Sequence, residues 1–322
     1  MLNRRQIRIK ALQTVYAHFQ SGSDDLAATE KTLKMNMDKL YDLYIWQLSF
    51  LIEIIDFAEA RIEENRNKYL PTEDDIHPNT RFVHNRFIKQ LRQNIGFQTN
   101  YKRLKINWGG EDELFRKAYN ELKDSDYYKA YMNDDYCTYQ NDKDIIAEFV
   151  RKVMVPNDVL RDFFEEKYFL WSEDYFMALA FVLHTISFFK EEWKPEYGLF
   201  PLYKPVEHED EGDDDEIFLK KLVRTTIIKS DEFDEIIKKK TMNWEFERIA
   251  TMDLILLRMG MAEIFYFDSI PLKVTLNEII ELAKHFSSPK SKVFINGLLD
   301  RTIEEGLKSG TVAKRGRGLI GQ

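Results

Sequence analysis

Residues Leu256–Asp300 read LLRMGMAEIFYFDSIPLKVTLNEIIELAKHFSSPKSKVFINGLLD. Their apolar spacing decides the fold. Together with the residues before it, the stretch from Trp244 to Phe267 is apolar on nearly every face, through Ile249, Ala250, Leu254, Leu256, Leu257, Met259, Met261 and Ile264. Such a helix is a buried central element. SIPLKV then turns the chain. Thr275 with Glu278 three residues on predicts a capping box. Ile279, Ile280, Leu282, Ala283 and Phe286 form the inner face of the helix that follows. Ser288 is the next N-cap candidate, with Pro289 at the first helical position. The last helix carries Val293, Phe294, Leu298 and Ile303, and Gly306 or Gly310 ends it. Two further helices are expected upstream, near 215–229 and 231–240.

Outward from that core, residues 4–20 form a first helix, because Ile7, Ala11, Val15 and Phe19 repeat every four residues. Gly22 ends it. A longer helix follows along Leu40, Tyr44, Leu48, Leu51, Ile55, Ala58 and Ile62. Trp46, Phe50, Ile54 and Phe57 give it a second stripe, so it is covered on two sides, and Pro71 stops it. The stretch 71–144 is the least regular, with two helices expected near 80–95 and 111–123. Helices near 143–153, 156–167 and 172–190 come next, and then Pro195, Pro201 and Pro205 break the pattern. Strand-like alternation is weak throughout, and the reading is all-α. Eight of the ten residues from Glu207 to Glu216 are acidic, which reads as a solvated linker.

A chain of 322 residues is long enough for about two domains. Hydrophobic residues are 44% and charged residues 32%, which excludes a disordered tail and a membrane bundle. Cys137 is the single cysteine, so an intrachain disulfide and a four-thiolate zinc site are excluded. A reducing compartment inside the cell fits best. The basic N-terminus lacks the apolar run of a secretory signal, and Phe176–Phe189 is too short to span a bilayer. The net charge is −8, but its ends are basic: Arg4, Arg5, Arg8 and Lys10 at one, Lys308, Lys314, Arg315 and Arg317 at the other. That pattern points to a localised anion contact rather than to non-specific coating of nucleic acid.

Motifs for catalysis are lacking. GRGLIG at Gly316–Gly321 matches a dinucleotide pattern, but no strand precedes it and one residue follows it. His77 and His84 have no zinc-type companions, and Cys137 has no nearby histidine. The acids of 207–216 lack the order of a calcium loop. The N-terminal arginines are a better signal. They lie at a helix start, where the dipole favours anions, and arginine forks suit phosphate. Tyr16, two turns after Arg8, is placed to stack a base if it is exposed.

RIKALQTVY (Arg8–Tyr16) resembles the opening helix of the NusB family of bacterial transcription antitermination factors, roughly R-x-x-A-x-Q-x-L-Y. The 45 residues Leu256–Asp300 resemble that family almost position by position, through L-R-x-x-x-x-E, P-x-K-V-x-x-N-E-x-x-E-L-A-K-x-F and F-x-N-G-x-L-D. Together these cover about a third of the chain. The resemblance implies an all-α, NusB-like helical bundle of two subdomains with extra inserted helices. The expected division is 1–70 (NusB-like helices), 71–206 (insertion), 207–216 (acidic loop), 217–310 (second NusB-like subdomain) and 311–322 (flexible basic tail).

The same resemblance implies a non-enzymatic role without cofactor or metal. Family members bind boxA RNA of ribosomal RNA leaders together with the ribosomal protein NusE, and join an antitermination complex on RNA polymerase in the cytoplasm. Some of them form homodimers. Carried over by position, the RNA-binding residues are Arg4, Arg5, Arg8, Tyr16, Phe286, Lys290 and Phe294, and Asp253 matches an acidic position of the NusE surface. Asn277 and Asn296 match asparagines that cap helices or tie them together. Lys290 stands where an acid is frequent in the family, and Val293 where a lysine is. Two alternatives stay open: an α-helical scaffold that has lost RNA binding, and an RNA-modifying enzyme subunit.

Overall fold

The computed structural model describes residues 2–203, 215–241, 246–315 and 319. Among them every regular element is helical and there is no strand. The chain opens with α1 (Arg4–Ser21) and α2 (Leu26–Arg66). Shorter helices follow: α3 (Glu73–Ile76), α4 (Arg86–Gln93), α5 (Ile95–Leu104), α6 (Asp112–Asp124) and α7 (Asp126–Asn133). Next, α8 (Tyr139–Phe149) runs into a π-helical turn, Val150–Met154, before α9 (Asp158–Lys167) and α10 (Trp171–Phe188). The last part holds α11 (Asp215–Ile228), α12 (Ser230–Lys240), a 3-10 turn at Phe246–Arg248, α13 (Thr251–Tyr266), α14 (Leu272–Phe286) and α15 (Ser291–Ser309). No helix among the described residues is long and apolar enough to cross a membrane.

The chain forms two compact units, residues 36–202 and residues 2–35 with 203–322. The chain passes between them inside α2, at Asn36, and not after that helix at residue 70. The acids 207–214, Pro205, Trp244 and Arg317 lie outside the described residues. Asp215 and Glu216 open α11, where the helix dipole favours them.

In the first unit the core is aromatic. Trp108 stacks on Phe163 at 4.9 Å and meets Trp46 edge-on at 5.0 Å. Its indole N–H donates to the Ser49 hydroxyl at 2.9 Å. Phe50 stacks on Phe115 at 5.3 Å, so both stripes of α2 are covered, as the sequence predicts. Besides the four-residue α3, two helices were not expected, α5 and α7. Each begins where its predecessor ends. Asn94 closes α4 and its side chain accepts the Phe97 N–H; Ser125 closes α6 and accepts the Tyr128 N–H. One residue serves as both caps, so no polar gap marks the boundary. At the other end α2 stops at Arg66, ahead of Pro71.

The second unit is built around α13, against which α1, α11, α12, α14 and α15 pack. This helix is buried almost throughout, and its three charged residues, five apart, each clamp a neighbour. Asp253 accepts a hydrogen bond from the Ser287 hydroxyl, after α14. Arg258 forks onto Asp234 of α12 at 2.8 and 2.6 Å and lies 4.4 Å over the Phe19 ring of α1. Glu263, fully buried, receives the Arg8 fork from α1 at 2.6 and 2.8 Å. Burying charges in this way is tolerated because each is hydrogen-bonded, and Arg258 and Glu263 are ion-paired as well.

Several expected boundaries move. The helix expected from Trp244 starts at Thr251. Pro271, with φ fixed at −60°, is the N-cap of α14. Thr275 is therefore no cap: it is buried inside the helix and its hydroxyl donates to Glu263 Oε2 at 3.0 Å. Ser288 does accept the Ser291 N–H, at 3.3 Å, although α15 begins only at Ser291. Gly310, at φ +73°, ends α15. Gly306 lies within it, under Val312, where a Cβ would come within 2.3 Å of the valine Cγ2.

Residues 311–315 pack rather than trail, which corrects the expected start of the tail. The Lys314 ammonium is buried and donates to the carbonyls of Glu263 and Phe267 at 3.0 and 2.7 Å, capping the negative end of α13. Burial pushes its pKa down to about 8. The folded state thus binds fewer protons at this site than the unfolded state between pH 8 and the ordinary lysine value. Its contribution to stability rises with pH across that window. Compared with Lys314→Met, the natural protein is expected to gain about 3 kcal/mol from pH 7.5 to 10.5, read from urea unfolding. A constant difference would rule out the depressed pKa.

Candidate functional site

Asn3 caps α1 reciprocally with Gln6, which puts Arg4 and Arg5 in the first turn, at the positive end of the dipole. Arg4 is half-buried, 2.9 Å from the carboxylate of Asp215, with its guanidinium 4.4 Å over the Phe218 ring. Arg5 is exposed and forks onto Glu278 of α14 at 3.0 and 2.9 Å, with Glu281 at 4.0 Å. Donating to the Glu278 carboxylate raises its pKa above the ordinary arginine value. Tyr16 is 38% exposed, so its ring is open to a stacking partner.

Arg8 is not part of an anion surface. It is 1% exposed, its fork is taken by Glu263, and its remaining N–H group donates to the Arg4 carbonyl at 3.1 Å. The arginine of the opening motif and the glutamate of L-R-x-x-x-x-E are thus partners in the core. Asp253 is likewise turned inward: it is 7% exposed and bonded to Ser287. It holds the SSPKS segment onto α13 and does not present an open acidic surface. Asn296 bonds Asp300 of its own helix at 2.7 Å, and Asn277 is exposed on α14. Neither ties two helices together.

The junction of α14 and α15 gathers the second set of expected residues. Phe286 and Phe294 are half-buried, and Lys290 and Val293 are exposed. Phe294 and Val293 line a groove of ≈350 Å³ with Lys240, Thr241, Gly297 and Arg301. A second groove of ≈390 Å³ shares Lys240 and Arg301, and adds Ile236 and Lys239. The lysines come from the last turn of α12, and Arg301 lies seven residues after Phe294, on the same face of α15. Lys240 also pairs with Glu305. Aromatic edge and cations together are what a single-stranded nucleic acid needs: a face for a base and charges for its backbone.

Sequence reasoning missed Lys240 and Arg301. The signals were the KKK run at Lys238–Lys240 and the seven-residue spacing from Phe294. It also missed Gly297, which is interior to α15, where glycine costs about 1 kcal/mol relative to alanine. No packing demands it, because a Cβ there would meet nothing within 4 Å. Its vacancy opens the groove floor down to the helix backbone.

Residues 194–304 match the model of the NusB family. That stretch is similar to the NusB family. The match contains the α12–α15 groove and α13. The opening helix α1 lies before it and joins through the Arg8–Glu263 pair. Transcription antitermination protein NusB of Salinibacter ruber is 44% identical over 104 residues, 32% of this chain and 65% of that protein. The NusB protein of Chloroherpeton thalassium is 42% identical over 103 residues, 32% of this chain and 49% of its own. That of Thermodesulfovibrio yellowstonii is 41% identical over 98 residues, 30% and 65%. The chain thus spans 49–65% of the length of these relatives. No solved structure matches it.

Proposed function

We propose that this chain is a non-enzymatic transcription antitermination factor of the cytoplasm. It binds boxA-type leader RNA together with NusE and acts on RNA polymerase during ribosomal RNA synthesis. The observation that carries this reading is the groove beside Phe294, which joins an aromatic edge, Lys240, Arg301 and the open backbone at Gly297. Arg5, Tyr16, Phe286, Lys290 and Phe294 are the proposed RNA contacts, with Arg4 beside them. Arg5 exchanges Glu278 for phosphate on binding, so its contribution is sensitive to salt.

Fluorescence anisotropy of a boxA-like RNA 12-mer, with and without the cognate NusE, tests the proposal. Binding is expected to tighten with NusE. Arg5→Ala/Tyr16→Ala is expected to weaken it roughly tenfold or more and to reduce the salt slope by about 1. Absence of binding at every salt concentration refutes the RNA role and leaves the scaffold reading.

Gly297→Ala separates this function from folding. It is expected to raise stability by up to ~1 kcal/mol, from helix propensity, while weakening RNA binding severalfold. If it raises stability and leaves RNA affinity unchanged, the groove floor is not an RNA contact.

A further inference from the structure

The charge of the two units is unequal. Residues 36–202 hold 30 Asp and Glu against 22 Lys and Arg, and so carry the entire net −8 of the chain. The remaining residues hold 25 of each. The first unit is therefore poorly suited to extend an RNA surface.

Within it, α7 and α8 enclose a groove of ≈340 Å³. Tyr127, Ala130, Tyr131 and Ile145 supply its apolar part, with carboxylates at Asp134, Asp144 and Glu148. No lysine or arginine lines it. Asp144 is exposed, accepts the Gln140 amide at 2.7 Å and pairs with no cation among the described residues. Asp134 is 3.8 Å from Arg81, and Glu148 faces Arg151 at 2.9 Å and Lys152 at 3.9 Å. The Tyr127 hydroxyl is out of solvent and faces the Ser125 side chain. Tyr131 already holds the Arg81 guanidinium 4.4 Å over its ring, so the wall is made of rings that accept a cation. The α8 wall leads directly into the π-helical turn at Val150–Met154, a deviation frequent at functional sites.

We propose that this α7–α8 groove receives a lysine- or arginine-bearing segment of a partner protein. An aliphatic stem packs against the tyrosines and Ile145 while the cation reaches Asp144 and Glu148.

A fluorescein-labelled alternating arginine–glycine peptide is the probe, titrated into the full chain and followed by anisotropy. Saturable binding is expected, weakened roughly tenfold or more by Asp144→Asn/Glu148→Gln, the change that loss of about 1.4 kcal/mol gives. Asp144→Lys, a single change at an exposed site, is expected to do the same. The acidic run is the competing site on this chain. Glu209→Gln/Asp210→Asn/Glu211→Gln is therefore expected to change the affinity by less than twofold. The reverse ranking of the two variants overturns the proposal, as does the absence of binding. A glutamate–glycine peptide or the RNA 12-mer competing for the same groove also overturns it.

Discussion

Arg8→Met is expected to destabilise the protein by about 3–5 kcal/mol, the usual consequence of leaving one member of a buried ion pair alone. Glu263 would keep the Thr275 hydroxyl but lose both arginine N–H groups, in a site that is 0% exposed. Glu263→Met is expected to cost a similar amount, because it strands the guanidinium. The double variant Arg8→Met/Glu263→Met is expected to recover most of the loss, since two apolar side chains replace two charges. Urea unfolding of the four proteins measures the coupling. Single variants within 1 kcal/mol of the natural protein would mean that the pair contributes nothing to the fold.

Trp108→Ala is expected to cost about 3–5 kcal/mol in the other unit, as truncation of a buried large aromatic does. The indole is in contact with Trp46, Phe50, Phe115, Phe163 and Phe164 at ring separations of 4.9 to 6.1 Å. Trp108→Phe keeps much of that packing and loses the bond to Ser49, whose hydroxyl still donates to the Trp46 carbonyl at 2.7 Å, so about 1–3 kcal/mol is expected, through the lost hydrogen bond and the smaller ring. The two substitutions are distinguished by the same urea titration. Equal losses would place the effect in the hydrogen bond rather than in the ring cluster.

The parts of the fold that were legible in the sequence are those where apolar periodicity and breakers agree. The helices α1, α13, α14 and α15 and the double stripe of α2 all have that form. Boundaries failed where one residue did two jobs, as Asn94 and Ser125 do, and where tertiary partners set the start, as around Thr275. The start of α2 was missed for another reason. Of residues 26–39, the apolar side chains of Leu33 and Met37 are buried and most others are polar, so no stripe announces the helix.

The candidate site divides in the same way. Phe286, Phe294 and Tyr16 sit on motifs, and Arg5 and Lys290 stand beside them. Arg8 sits on a motif too and Asp253 stands just before one, yet the structure turns both inward, into the core. Lys240, Gly297 and Arg301 come together only through the packing of α12 against the face of α15, which no local pattern records.

The Arg8–Glu263 pair joins residues 255 positions apart, and this has a consequence for how the protein is made. During synthesis α1 emerges well before α13, so its buried arginine has no carboxylate to meet until 255 further residues have followed. At 5–20 residues per second that delay is roughly 13–50 s. The first unit, lying between the two halves of the second, is complete well before then and can collapse on its own. Residues 2–35 must meanwhile wait as an unaccompanied helix, exposed to chaperones and to mispairing, until α13 arrives. Of the two units, the NusB-like one is therefore the last to fold on the ribosome, even though its first helix precedes the other unit.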